Sequence, residues 1–199
     1  FIKSVFSEVL LVGKFYSKSI IRIGSNNKLQ QLKLTLSGLV DQKIKVLTNM
    51  LSCFDATINF FTVVECIKAN DANAKSEAIE VLKGVLGPRK TDAFVNLISP
   101  IQNEQGFEST DFKLTLDQFS MDSPISILQD VLLVFSKEPF SKGKTFITNC
   151  LKHENDSLRE AAFKVYLSLE TDTNEIKKYC QILSNDSVAN ISSVAQKMI

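Results

Sequence analysis

The sequence predicts an all-α chain, and three observations carry that expectation. Apolar residues recur at steps of three and four, as in Leu158, Ala161, Ala162, Val165 and Leu169, which is the spacing of one helix face. Capping and stop residues bound these runs. The third observation is a repeat. "NDSLREAA", from Asn155, half returns as "NDSVANIS", from Asn185, and the Asp-Ser pairs at 122, 156 and 186 stand 34 and 30 residues apart. Helix pairs returning at such intervals describe a right-handed α-solenoid, in which each pair buries its apolar face on its neighbours.

Taken in order, residues 1–41 read as amphipathic or capping helices and 42–199 as helical repeats. The stretch 1–23 is apolar but carries Lys3, Glu8, Lys14, Lys18 and Arg22, too many charges for a membrane span. It opens on Phe1 rather than methionine, so a longer parent chain is expected. Helices follow at about 42–54 and at 56–69, the latter with Asp55 as cap. A loose copy of the repeat starts at Asn70 and runs through Asp71, Lys75, Ala78, Val81 and Leu82. Gly87-Pro88 stops that helix, and another covers 89–98.

An irregular segment is expected over 99–111. Phe112, Leu114 and Leu116 then alternate with polar residues, as a short strand or a pinned loop. Asp122-Ser123-Pro124 opens the next helix, since proline suits a first helical position, and Ile127, Leu128, Val131 and Leu132 form its face. A helix at 140–152 precedes the quoted stretch, where Ser157 as N-cap and Glu160 make a capping box. Asp172 and Glu175 open a helix at 172–184. After Asp186, Val188, Ile191, Ala195 and Met198 form the last face.

Composition narrows the function. The net charge is +1, with 23 basic residues against 22 acidic, so no concentrated basic surface is available for nucleic acid. Cys53, Cys66, Cys150 and Cys180 form no Cys-x-x-Cys pair, and His153 is the only histidine. No metal set is expected, and the cysteines read as buried, reduced thiols of a cytoplasmic protein. The sequons at Asn155, Asn185 and Asn190 read as chance triplets.

Motifs that promise chemistry fail on inspection. Ser141-Lys142-Gly143-Lys144-Thr145 ends like a phosphate-binding loop, but Glu138 stands where the loop needs glycine. It reads as a basic turn before a helix. His153 follows a helix end, where a protonated imidazole is favoured, and no nucleophile setting accompanies it. Lys75, Lys83, Arg89 and Lys90 are interleaved with Glu77, Glu80 and Asp92, a solvated face. Phe54, Phe60, Phe61 and Phe163 fall at helix spacing and read as core. No cofactor motif is present, so the chain is expected not to be an enzyme.

An aspartate before the second helix of a pair, a basic residue soon after and then small residues resemble HEAT repeats. The positions are Asp156, Arg159, Ala161 and Ala162, with Asp71, Lys75 and Ala78 behind them; Asp122, Ser157, Glu160 and Asp186 complete the repeat set. Residues 43–100 also resemble the HEAT-like repeats attached to bacterial membrane proteins of the ATP/ADP-translocase (major facilitator) type, through Asp71, Asn73, Ala74, Ala78, Glu80, Leu82 and Leu86. That resemblance implies a non-enzymatic interaction or regulatory domain, tethered at the inner membrane, with its own membrane part or another protein as partner. The family's transport residues belong to the membrane part, and none is carried over. The alternatives are a generic helical bundle, a lyase-like HEAT protein with a ligand pocket, and a eukaryotic armadillo or adaptor scaffold, whose repeats run to about 40 residues.

Overall fold

The computed structural model describes residues 2–24, 27–69, 71–99, 116, 118–137 and 141–199. Among them are ten α-helices and no strand, so the all-α expectation holds. The helices are α1 (Ile2–Ile23), α2 (Gln30–Phe54, after a 3-10 turn at Asn27–Leu29), α3 (Phe60–Lys68), α4 (Ala72–Leu86), α5 (Pro88–Ile98), α6 (Ile125–Lys137), α7 (Ser141–Cys150), α8 (Asp156–Leu169), α9 (Thr173–Leu183) and α10 (Ala189–Met198). None among the described residues is long and apolar enough to cross a membrane.

The chain divides into two compact units: Phe1–Gly24 with Lys33–Ser109, and Ser25–Leu32 with Thr110–Ile199. In the first, α1 buries Phe6, Leu10, Gly13 and Ser17, at steps of four, three and four, and packs on α5. Phe6 sits edge-on to both Phe54 and Phe94, with ring centroids 6.4 and 6.1 Å apart. Helices α3, α4 and α5 pack on one another around Phe60, Val64, Ile67, Ala78, Leu82 and Leu97.

Local signals explain where these elements begin and end. Asp71 accepts the N–H groups of Asn73 and Ala74 and so caps α4. Gly87, at φ 77° and ψ 162°, ends α4 by donating its N–H to the Lys83 carbonyl at 3.0 Å. Proline at the first position of α5 then starts the next helix.

In the second unit, α6 buries Ile127, Leu128, Val131, Leu132, Val134 and Phe135. Each such side chain contributes about 1.5–3 kcal/mol relative to exposure. Helix α6 packs on α7 and α8, α7 on α8, α8 on α10, and α9 on α10. Ala162 and Ala195, both fully buried, stand on α8 and α10.

Several elements differ from the sequence reading. The expected boundary at 41–42 lies inside α2. Helix α3 starts at Phe60, not at 56. Asp55 folds back on the N–H and hydroxyl of Thr57, a local turn that competes with helix, and Asn59 caps instead. Ser157 is not the N-cap of α8. Asn155 is, and Ser157 donates its hydroxyl to Asn155; Glu160 pairs with Lys164 at 2.8 Å rather than closing a capping box. Helix α6 begins after Pro124, whose carbonyl accepts from Ile127 and Leu128, and the basic turn expected at 141–145 is the first turn of α7. Phe61 is 48% exposed. Cys53 is exposed and Cys66 half-buried, so only Cys150 and Cys180 are buried thiols. Beyond Ser99, the irregular segment 99–111, with Phe112 and Leu114, lies outside the described residues; Leu116 is buried.

Candidate functional site

Two arrangements of side chains stand out, both in the second unit. The first is built on Arg159, in the first turn of α8. Its Nη1 donates to the carbonyls of His153 and Glu154 at 3.0 and 2.9 Å. Its Nη2 reaches Asp156 Oδ1 at 2.8 Å, Asp186 Oδ1 at 2.9 Å and Ser187 Oγ at 3.1 Å, while Nε reaches Asp186 Oδ2 at 2.9 Å. The planar fork matches the carboxylate in two bonds. One guanidinium therefore holds the turn before α8 to the turn before α10. With side chains only 12% and 8% exposed, the pair is little screened. Its hydrogen bonds hold the Asp186 carboxyl below the usual carboxylate range and raise Arg159.

The repeated Asn-Asp-Ser thus has two different jobs. In the first copy Asn155 caps α8, and Ser157 also meets Gln129 of α6 at 3.2 Å. In the echo, Asp186 answers Arg159 and accepts the Val188 N–H at 2.8 Å, while α10 has no side-chain cap. Glu160 adds a second link, accepting from Asn190 of α10 at 3.4 Å. Its carboxyl is lowered first by Lys164, then by Asn190. Asp156, Ser157, Arg159, Glu160 and Asp186 are brought together, with Ala162 buried one turn on. Asp71, Lys75 and Ala78 lie on or before α4 in the other unit, where Lys75 makes no ion pair among the described residues. Asp122 stands in the turn before α6.

The second arrangement is a cleft of about 160 Å³ lined by Phe135 of α6, Gly143, Lys144 and Ile147 of α7, and Tyr166, Leu169 and Glu170 at the end of α8. Phe135, Ile147 and Tyr166 are buried, whereas the Lys144 side chain is 60% exposed. Lys144 Nζ and Glu170 Oε2 are 2.7 Å apart. The other Glu170 oxygen accepts the N–H groups of Thr171 and Asp172, each at 3.1 Å. Lys144 and these N–H groups hold Glu170 below its usual range, and Glu170 raises Lys144. Gly143 packs closely: a Cβ there would stand 3.0 Å from the Phe135 ring, which would have to give way by a few tenths of an ångström. The Tyr166 ring packs on Tyr179 of α9 at 4.8 Å. Its hydroxyl is buried and has no hydrogen-bond partner, and burial raises its pKa.

Sequence reading passed over this cleft. In the sequence Gly143 and Lys144 stand out only within a fragment that ends like a phosphate loop, and the remaining lining residues are spread over three helices. Nothing local in the sequence marks the Tyr166 hydroxyl as unpartnered.

The other chemical candidates are spent on structure. His153 Nδ1 accepts the N–H of Asn155 at 3.0 Å, which places the ring proton of the neutral form on Nε2. Cys150 is fully buried, and burial pushes its thiol up to about 12, far from a reactive thiolate. Lys83 is tied to Glu80 at 2.7 Å. Among the described residues no cluster of three His, Cys, Asp or Glu side chains stands ready to hold a metal ion. The chain matches no known protein-family model, no curated protein and no solved structure at a significant level.

Proposed function

We propose that this chain is a HEAT-like helical-repeat module, a right-handed α-solenoid without catalysis of its own, whose role is to bind another protein. The observation that carries the reading is the packing order of the second unit. Helix α8 packs on its neighbour α7 and on α6, and α10 on its neighbour α9 and on α8, with Arg159–Asp186 fastening one pair to the next. Stacked pairs of this kind offer an extended, ridged surface suited to a second chain. The partner is a protein, and the resemblance of residues 43–100 makes an attached membrane domain on the cytoplasmic side its first candidate.

Photo-crosslinkers placed at the exposed apolar positions Leu11, Leu34 and Ile182, in the host cell, test the reading. Recurrent cross-links to the same protein or membrane domain are expected. Absence of any protein product at all three, or turnover by the repurified chain in a broad hydrolase and transferase screen, overturns it. Deleting residues 171–199 tests the array itself: nearest-neighbour stacking leaves a cooperative melt at a lower Tm, whereas one indivisible core loses it.

A further inference from the structure

We propose that helix α1 docks on the anionic surface of a lipid bilayer, with its lysines at the headgroups and Leu11 in the acyl boundary. The inference goes beyond the protein-binding role and stands whether or not the helices form a repeat array. Lys3, Ser7, Leu11, Lys14, Lys18 and Arg22 follow at steps of four, four, three, four and four, so they share one face of the helix. The face formed by Phe6, Leu10, Gly13 and Ser17 is already buried, and it lies to one side of this row. Lys3, Ser7, Leu11 and Lys18 are exposed, with Lys14 and Arg22 half-buried. At 1.5 Å per residue the row is about 29 Å long.

Two observations ask for an anionic surface with an apolar layer beneath it. The first is charge. Helix α1 carries four of the 23 basic residues of the chain and only one of the 22 acidic ones, Glu8. Lys3, Lys14 and Lys18 make no ion pair among the described residues, and Glu8 accepts the Ser4 hydroxyl at 3.4 Å. By contrast, Lys68, Lys83, Lys164 and Lys178 each meet a carboxylate on their own helix. The second observation is Leu11. It is 71% exposed, more than any other large apolar side chain among the described residues, and it stands in the middle of the basic row. Nucleic-acid phosphates would answer the lysines and leave this leucine in water. A bilayer answers both, because a helix lying in the interface places apolar side chains at the acyl boundary. The lysine stems then extend along that boundary and keep their ammonium groups at the headgroups, where anionic lipid attracts each of them.

The test is co-sedimentation of the whole chain with vesicles of phosphatidylcholine alone and of phosphatidylcholine mixed equally with phosphatidylserine. Binding to the anionic vesicles only is expected at about 0.1 M salt. It should be lost at about 1 M, where the screening length falls from about 10 Å to about 3 Å. Lys3→Gln, Lys14→Gln and Lys18→Gln together should weaken binding about tenfold or more. Leu11→Gln should weaken it about threefold to tenfold and leave the helical circular dichroism unchanged. The chain has no tryptophan, so Leu11→Trp supplies a single reporter. Its emission should move to the blue on anionic vesicles and be quenched by brominated lipid. Should the lysine variant unfold, the salt dependence and the Leu11→Trp emission decide. Equal binding to both kinds of vesicle, binding to neither, or an unmoved Leu11→Trp emission overturns the proposal. So does capture by duplex DNA or polyglutamate in place of the anionic vesicles, or unchanged affinity in a folded lysine variant.

Discussion

Arg159 and Asp186 meet in a two-pronged ion pair, Nε to Oδ2 and Nη2 to Oδ1, each at 2.9 Å. It joins the first turn of α8 to the turn before α10. Because the same guanidinium also serves two backbone carbonyls, its loss leaves more than one acceptor unmet. Asp186→Asn should cost about 1.5–3 kcal/mol, the range for hydrogen bonds to charged groups. Arg159→Ala should cost about 3 kcal/mol or more, since it strands a buried carboxylate. Urea unfolding of both single variants and the double variant measures this. Additive losses would show that the two residues do not act on each other.

Acid should weaken the second unit through the same carboxylates. Asp186, Glu170 and Glu160 all titrate below their ordinary values when folded, lowered by Arg159, Lys144 and Lys164 respectively. A folded-state pKa below the unfolded one stabilises fully above the unfolded pKa, about 4. That stability is lost as pH falls through the folded value. A melting series should therefore be flat between neutral pH and about 5 and fall below about 4. In Asp186→Asn the acid-side fall should be shallower.

Ala162 is fully buried on α8, the helix that packs on α6, α7 and α10. Ala162→Phe should destabilise by about 1–3 kcal/mol through overpacking. An unchanged Tm would place this face away from any tight contact.

Gly87 closes α4 and opens α5 at φ 77°, ψ 162°, a region that only glycine enters freely. An added Cβ would meet nothing within 4 Å, so Gly87→Ala reports backbone conformation alone. A loss of about 1–3 kcal/mol is expected. A neutral or stabilising result in chemical denaturation would mean that the junction relaxes into an ordinary conformation.

Some of this was legible in the chain before any fold was known. Helix spacing identified the buried faces around Ala78, Leu82, Leu158, Ala162 and Ile191, because a 3.6-residue period is written in consecutive residues. Asp71, Asp172 and Gly87-Pro88 announced helix ends, because a cap acts on N–H or carbonyl groups within a few residues of itself. The caps that the sequence predicts at Ser157 and Asp55 stand instead at Asn155 and Asn59, because several cap-competent side chains lie within the same few residues. The repeated Asn-Asp-Ser was visible, but its division of labour was not. That Asp186 turns from its own helix to Arg159 depends on where α8 and α10 lie. The cleft is a still stronger case. Phe135, Gly143, Lys144, Tyr166 and Glu170 come from three helices, and no local rule reveals that a tyrosine hydroxyl will be buried without a partner. Periodicity acts between near neighbours and is settled by the sequence itself. Ion pairs between turns and cavities between helices exist only once distant segments have packed, and the tertiary structure alone decides them.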